Sequence, residues 1–171
     1  MIKRIKNFYK RKFWDSERKA RVAGVKIGKD CNIQDVCFGS EPYLIEIGNH
    51  VQITNGVKFF THGAAWILRE KYPNIDFFGK IKVSSNVYIG NNALILAGVS
   101  IGSNVIVAAG SVVTKSVPNG KIVGGNPARI IGDLNAFEKS ILPFNLNTKG
   151  KSYNEKREIL LSLDSEKFIK K

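Results

Sequence analysis

Through the middle of the chain an aliphatic residue returns at every sixth position: Val83, Ile89, Ile95, Ile101, Val107 and Val113. Four places after each stands a small or β-branched residue, namely Val87, Ala93, Val99, Val105, Ser111 and Val117. A helix repeats near 3.6 residues and a half-buried strand every two, so neither accounts for a period of six. Short strands joined by tight corners do, because each turn of such a coil buries its apolar side only against its neighbours. With three walls per turn, Val83 lies under Ile101 and Ile89 under Val107, about 4.8 Å apart, the usual spacing of hydrogen-bonded strands. Asn86, Asn92, Asn104, Gly98 and Gly110 fall at the corners, where residues that accept unusual backbone angles are needed. The pattern predicts an all-β solenoid of parallel strands.

The same phase runs backwards through Ile27 with Cys31, Ile33 with Cys37, Ile47 with Val51, and Ile53 with Val57. It breaks at residues 38–46 and again at 63–80, the second stretch holding Trp66, Arg69, Tyr72, Pro73 and two Phe. Such a composition is too aromatic and charged for a coil wall, and insertions in repeat folds form loops that often carry the binding surface. Three regions follow: a basic N-terminal helical segment (1–24), the coil with its two insertions (25–132), and a C-terminal helical extension (133–171). In the extension, Glu155 to Leu163 has helical composition, with a cap and a second short helix expected from Ser162 onwards. Cys31 and Cys37 occupy the small inward position of the repeat and are expected to be buried thiols without a disulfide.

Composition adds one strong signal, a formal net charge of +13 over 171 residues. It is concentrated at the start, where Met1 to Gly24 holds nine Lys or Arg against Asp15 and Glu17. Ile2, Ile5, Tyr9 and Phe13 share one helical face there, surrounded by Lys3, Arg4, Lys6, Lys10 and Arg11. Two roles stay open for residues 1–14: peripheral attachment to an anionic membrane surface, or packing on the open end of the coil. Nucleic acid is not the expected partner, since no helix-turn-helix, zinc-finger or RNP-type pattern accompanies the charge. No apolar run approaches the roughly 20 residues of a membrane span, and no signal-peptide block is present, so a cytoplasmic location, at most peripheral at the inner membrane face, is expected.

The run from Val87 to Gly102, then Ala108-Ala-Gly-Ser-Val-Val-Thr-Lys-Ser-Val-Pro and Gly124-Gly-Asn-Pro-Ala-Arg, resembles the hexapeptide-repeat acyltransferases. The likeness is greatest to maltose and galactoside acetyltransferases and to the O-acetyltransferases of surface-polysaccharide gene clusters, over roughly residues 25 to 132. The resemblance implies a left-handed parallel β-helix, a homotrimer with active sites between subunits, acetyl-CoA as donor, no metal, and a carbohydrate acceptor. An interface between coil walls would account for the apolar outward residues Leu94, Leu96 and Ile106. The three-histidine zinc site of γ-type carbonic anhydrases, which share the fold, is excluded because the chain has only His50 and His62.

His62, just before the long insertion, matches the family's catalytic histidine, and an imidazole titrating near neutrality suits proton removal from a hydroxyl. Tyr88, Asn91, Ala109, Thr114, Lys115 and Arg129 match family positions along the coenzyme, the last two suited to phosphate. One departure is visible: polysaccharide-cluster relatives read Thr-His-Asp-Gly where this chain reads Thr61-His62-Gly63-Ala64. Glu41 and Glu70, one in each insertion, are candidates for the missing carboxylate, at the acceptor or on the imidazole. The implied activity is O-acetylation of a sugar hydroxyl in surface-polysaccharide (capsule or O-antigen) synthesis. N-acetylation of a sugar nucleotide is an alternative with the same base and donor, and a non-catalytic scaffold is an alternative of another kind.

Overall fold

The computed structural model describes residues 15–170, and the expectations for residues 1–14 lie outside this range. The chain divides into two compact units, Met1–Leu134 and Asn135–Lys171.

The first unit is a three-sided coil whose strands visit three sheets in rotation. The first sheet holds β1 (Lys26–Ile27), β3 (Ile45–Ile47), β6 (Ile81–Val83) and β9 (Ser100–Ile101) in that order. The second holds β2 (Asn32–Ile33), β4 (Val51–Ile53), β7 (Val87–Ile89) and β10 (Val105–Val107), extended by β12 (Lys121–Gly124) and β13 (Arg129–Asp133). The third holds β5 (Lys58–Phe59), β8 (Leu94–Ile95) and β11 (Val112–Val113). All pairings are parallel except β12 with β13.

The predicted register is present. Val83 pairs with Ile101, Val87 with Val105, Ile89 with Val107 and Ile95 with Val113, each eighteen positions on. All twelve repeat residues between Val83 and Val117 are buried, from Ile89 and Ile95 at 0% exposed to Val117 at 6%. Strands of two or three residues have no stability alone, so these columns of stacked aliphatic side chains hold the unit together. Asn86, Asn92 and Asn104 turn the corners with φ of 57°, 60° and 59°. The Asn86 amide also donates to Asn104 Oδ1 (2.7 Å) and accepts from His50 Nδ1 (2.8 Å), which gives His50 a structural role at a corner.

The interruptions show as register steps larger than eighteen. Ile27 pairs with Ile47 and Ile33 with Ile53, a step of twenty. The first interruption is shorter than 38–46, because Ile45 and Glu46 already lie in β3, stacked on Ile81 and Lys82. Ile45 pairs with Ile81, Val51 with Val87 and Phe59 with Ile95, a step of thirty-six, so the second interruption adds the length of one turn without removing any turn from the stack, and the coil resumes in phase.

At its start the coil is covered by α1 (Ser16–Ala23), which packs on β1, β2 and the short helix Pro42–Leu44 and buries Ala20. Asp15 caps α1 by accepting from Arg18 N at 2.7 Å, and Gly24 ends it in the left-handed region at φ 113°. The cysteine expectation fails in part: both thiols are free, but Cys31 is only half-buried and Cys37 is exposed. Cys31 belongs to the first turn, whose inward position has coil on one side only. Cys37 is out of phase, bridging to the outward Lys58 twenty-one positions on, while Phe38 takes the inward place stacked on Phe59.

The second unit is helical, as the composition of its sequence predicts. It contains most of α2 (Leu134–Ile141), which the sequence reading did not separate, and α3 (Tyr153–Ser162). A capping box starts α3, with Ser152 N donating to Glu155 Oε2 (2.8 Å) and Glu155 N to Ser152 Oγ (3.3 Å). Leu163 falls just outside α3, and the expected second element is the short helix Ser165–Lys167.

Replacing Ile95 by Ala should cost roughly 2–5 kcal/mol, the range for truncating a large aliphatic residue in a packed core. Ser100→Ala, on the outward face of β9, should change stability by less than about 0.5 kcal/mol. Urea unfolding of the two variants measures the contrast.

Candidate active site

The long insertion leaves the coil after β5 and returns before β6, and its two ends are stapled together. Gly79 N donates to the Thr61 carbonyl at 2.7 Å, and His62 and Phe78 form an antiparallel bridge one residue further out. Gly79 has no room for a side chain: a Cβ would meet Gly98 N at 2.3 Å and Ala97 C at 2.8 Å, so the returning strand presses directly on the coil corner above. Beyond this neck the arm exposes Trp66 (80%), Ile67 (79%), Tyr72 and Phe77. His62 therefore sits at the base of an aromatic arm on the edge that follows the third sheet.

The imidazole is held from one side. Its Nδ1 lies 2.7 Å from Glu41 Oε2, and the same oxygen accepts from Thr61 Oγ at 2.6 Å. Thr61 is 1% exposed, so its hydroxyl is a fixed donor, while the Glu41 side chain is 15% and the His62 side chain 41% exposed. Phe78 closes another side, with ring centroids 5.5 Å apart at 60°. No described residue hydrogen-bonds to Nε2, which leaves that nitrogen available to a ligand. The hydrogen bond from Thr61, then those from His62 and Ser40, hold the Glu41 carboxyl below its ordinary range against the opposing effect of partial burial.

The two candidate carboxylates separate here. Glu41, at the entry of the Pro42–Leu44 helix, reaches His62, whereas Glu70 is exposed in the arm and makes no hydrogen bond or ion pair among the described residues. The sequence offered no way to rank them. Thr61 and Phe78 were not singled out at all; the first is merely adjacent to His62, and the second lies sixteen positions away with no local signal.

The remaining candidates fall into two further groups. Lys115 and Arg129 line one cavity of about 390 Å³ with Ser116, Pro118, Ala128 and Ile130. The segment before Arg129 closes over β11, with Val112 N donating to the Gly125 carbonyl and Ala128 N to the Val112 carbonyl. Thr114 is exposed at the same corner. This corner follows β11 and His62 follows β5, with β8 between them, so the two lie about 10 Å apart along one edge of the coil. Asn91 and Ala109 lie on a different edge, the one before the third sheet, stacked so closely that a Cβ on Gly90 would meet Ala109 N at 2.5 Å. Tyr88 is 40% exposed on the outer face of β7, between Gln52 and Ile106. A single chain thus brings His62 to Glu41 and Lys115 to Arg129, but does not gather all the candidates into one pocket.

Residues 80–115 match the family model for the bacterial transferase hexapeptide (six repeats). Protein CapG of Staphylococcus aureus is 56% identical over 151 residues, which cover 86% of this chain and 88% of CapG. The chain belongs to the hexapeptide-repeat acyltransferases. Within that family, galactoside O-acetyltransferase of Escherichia coli (strain K12) is 33% identical over 100 residues, 58% of this chain and 49% of that protein. The chain therefore spans about half the length of that relative. The crystal structure of a hexapeptide-repeat acetyltransferase from Vibrio cholerae O1 biovar eltor, complexed with acetyl coenzyme A, matches with a TM-score of 0.59 at 35% identity, over 65% of this chain and 61% of that one. Among the described residues no group of three or more metal-ligating side chains occurs, and no helix is long and apolar enough to cross a membrane.

Because Thr61 is the leading cause of the lowered Glu41 pKa, Thr61→Val should move that carboxyl back up towards its ordinary value of 4.5. A carbon-13 NMR titration of the side-chain carboxyls would follow it. With the folded value depressed, the carboxylate's stabilising contribution is present above the ordinary pKa and is lost as pH falls through the folded one. In Thr61→Val the contribution should be smaller and its loss complete at a higher pH, because the folded value lies nearer the ordinary one.

Proposed function

We propose that the chain is an acetyl-CoA-dependent O-acetyltransferase acting on a sugar hydroxyl, with His62 as general base. The observation that carries this reading is a histidine fixed at Nδ1, with Nε2 unpartnered among the described residues, at the neck of an aromatic arm on a hexapeptide coil. Nε2 takes the proton of the acceptor hydroxyl as its oxygen attacks the acetyl carbonyl. The carbon–sulfur bond then breaks, and the imidazolium returns the proton to the departing thiolate. The transfer is direct and needs no acyl-enzyme.

The donor suits the other groups. Lys115 and Arg129 present two cations to one cavity, a match for phosphate, and a span of about 10 Å along the edge to His62 fits an extended molecule better than a compact one. Thr114 belongs to the same corner. The acetyl coenzyme A bound by the Vibrio relative supports the same donor. Tyr88, Asn91 and Ala109, on the other side of the third sheet, then serve a neighbouring copy, with the pantetheine arm running in the groove between two chains. Supporting this arrangement are the partly exposed outward Leu94, Leu96 and Ile106 and the separation of the candidate residues within one chain. A homotrimer with left-handed coils is the assembly that accords with the family resemblance.

An acceptor belonging to a surface polysaccharide, held on a membrane-linked carrier, is consistent with the basic, amphipathic sequence of residues 1–14. Deleting residues 1–14 should reduce partitioning onto vesicles containing anionic lipid, measured by sedimentation; unchanged partitioning removes the membrane role.

With acetyl-CoA and a panel of sugars and sugar nucleotides, thiol release should require both an acceptor and His62, and His62→Ala should lower turnover by roughly 10²–10⁴. An alkali-labile acetyl product establishes an ester, whereas an alkali-stable one shows N-acylation. Arg129→Ala should raise KM for acetyl-CoA roughly tenfold, about the worth of one hydrogen bond to a charged group, with a smaller effect on kcat.

A further inference from the structure

The carboxylate on His62 comes from a place the six-residue pattern does not mark. The first two turns are offset by twenty residues and not eighteen, and the surplus falls between Cys37 and Ile45. Glu41 stands within that surplus, where its carbonyl accepts from Leu44 N at 3.0 Å and fixes the start of the Pro42–Leu44 helix. By contrast the residue directly after the histidine, Gly63, has space for a side chain: a Cβ there would meet nothing within 4 Å, and its backbone is outside the left-handed region. An acidic residue would fit at 63, yet the chain supplies its carboxylate from 41.

The geometry points to Glu41 as the positioning residue of the catalytic histidine, supplied from the first interruption of the coil and locked there by the buried hydroxyl of Thr61. The inference rests on the reading of His62 as the general base. An ionised carboxylate only accepts hydrogen bonds, so Oε2, already accepting from Thr61, requires Nδ1 of the neutral ring to carry the proton. Nε2 is then the unprotonated nitrogen and turns its lone pair to the side free of protein partners. When that nitrogen takes the acceptor's proton, the Nδ1–H to Glu41 bond becomes charge-assisted and stabilises the imidazolium. Proton, lone pair and charge are all set by Glu41 acting through the ring.

The inference can be tested on the full-length protein by nitrogen-15 NMR, because only two histidines are present and His62→Ala assigns the signals. In the wild type the His62 ring should show a protonated Nδ1 and an unprotonated Nε2, and Glu41→Ala should abolish that preference. The isosteric Glu41→Gln, which keeps an acceptor and removes the charge, should retain the Nδ1–H signature but lower kcat roughly 10–100-fold, the usual effect of losing such a supporting group. KM for acetyl-CoA should stay within about twofold in Glu41→Gln, since Glu41 is remote from the Lys115–Arg129 cavity. A wild-type ring protonated at Nε2 overturns the inference, as does an unchanged kcat in Glu41→Gln when His62→Ala is inactive. If no acceptor supports turnover, the function reading fails separately, while the wild-type tautomer and its loss in Glu41→Ala still decide what Glu41 does to the ring.

Discussion

Everything in the first unit depends on identical inward positions stacking in register. Among the described residues no strand exceeds three residues before the closing hairpin, so none is stable alone, and each gains its hydrogen bonds and its apolar cover from neighbouring turns. Phase, not hydrophobicity as such, is what the sequence must preserve. A single residue lost from a wall would turn the next inward side chain outward and break three columns at once. The ends lack a neighbour and are treated differently: α1 lies over the start, and β13 folds back on β12 at the finish.

That constraint leaves the inside of the coil no part in chemistry and moves all of it to the edges. Corners and interruptions are free to vary because they lie outside the stacked columns, yet they are held to fixed places by them. Glu41 and His62 are twenty-one positions apart in sequence and belong to different turns, but the local register of twenty-one, marked by the Cys37–Lys58 bridge, brings them onto one another. The Glu41–His62 pair is thus a product of register: coil geometry places it, and no local motif encodes it. The same logic distributes cations. Lys26 and Glu46 neutralise each other across the first sheet, whereas Lys115 and Arg129 face a cavity with no carboxylate in its lining.

How much was legible follows from the same distinction. The walls were readable because each hexad states its own inward residue, and from Val83 to Val117 every one is where the period put it. The corner residues were readable because Asn and Gly advertise the backbone angle they must adopt. Cys31 keeps the period and is still only half-buried, since burial there depends on what lies beyond the first turn, whereas Cys37 loses it, the register having slipped so that it lies against outward Lys58 and Phe38 turns inward. The β12–β13 hairpin and α2 carry no hexad signal and were not foreseen. His62 could be named from its surroundings, and Glu41 only as one of two possible carboxylates. The choice between Glu41 and Glu70 lay in three-dimensional proximity across turns, which a period cannot express. Thr61, which fixes Glu41, looks like an ordinary β-branched residue before an ordinary histidine.

The second interruption has an arithmetic that the first does not. It adds the length of one complete turn, and its two ends meet at the Thr61–Gly79 hydrogen bond, so the strands before and after it stack as though it were absent. The coil therefore registers only that the ends meet, and is indifferent to the length and content of what lies between. In such a design the arm is an interchangeable cartridge. A lineage can exchange one arm for another while inheriting the histidine, its carboxylate and the Lys115–Arg129 cavity unchanged.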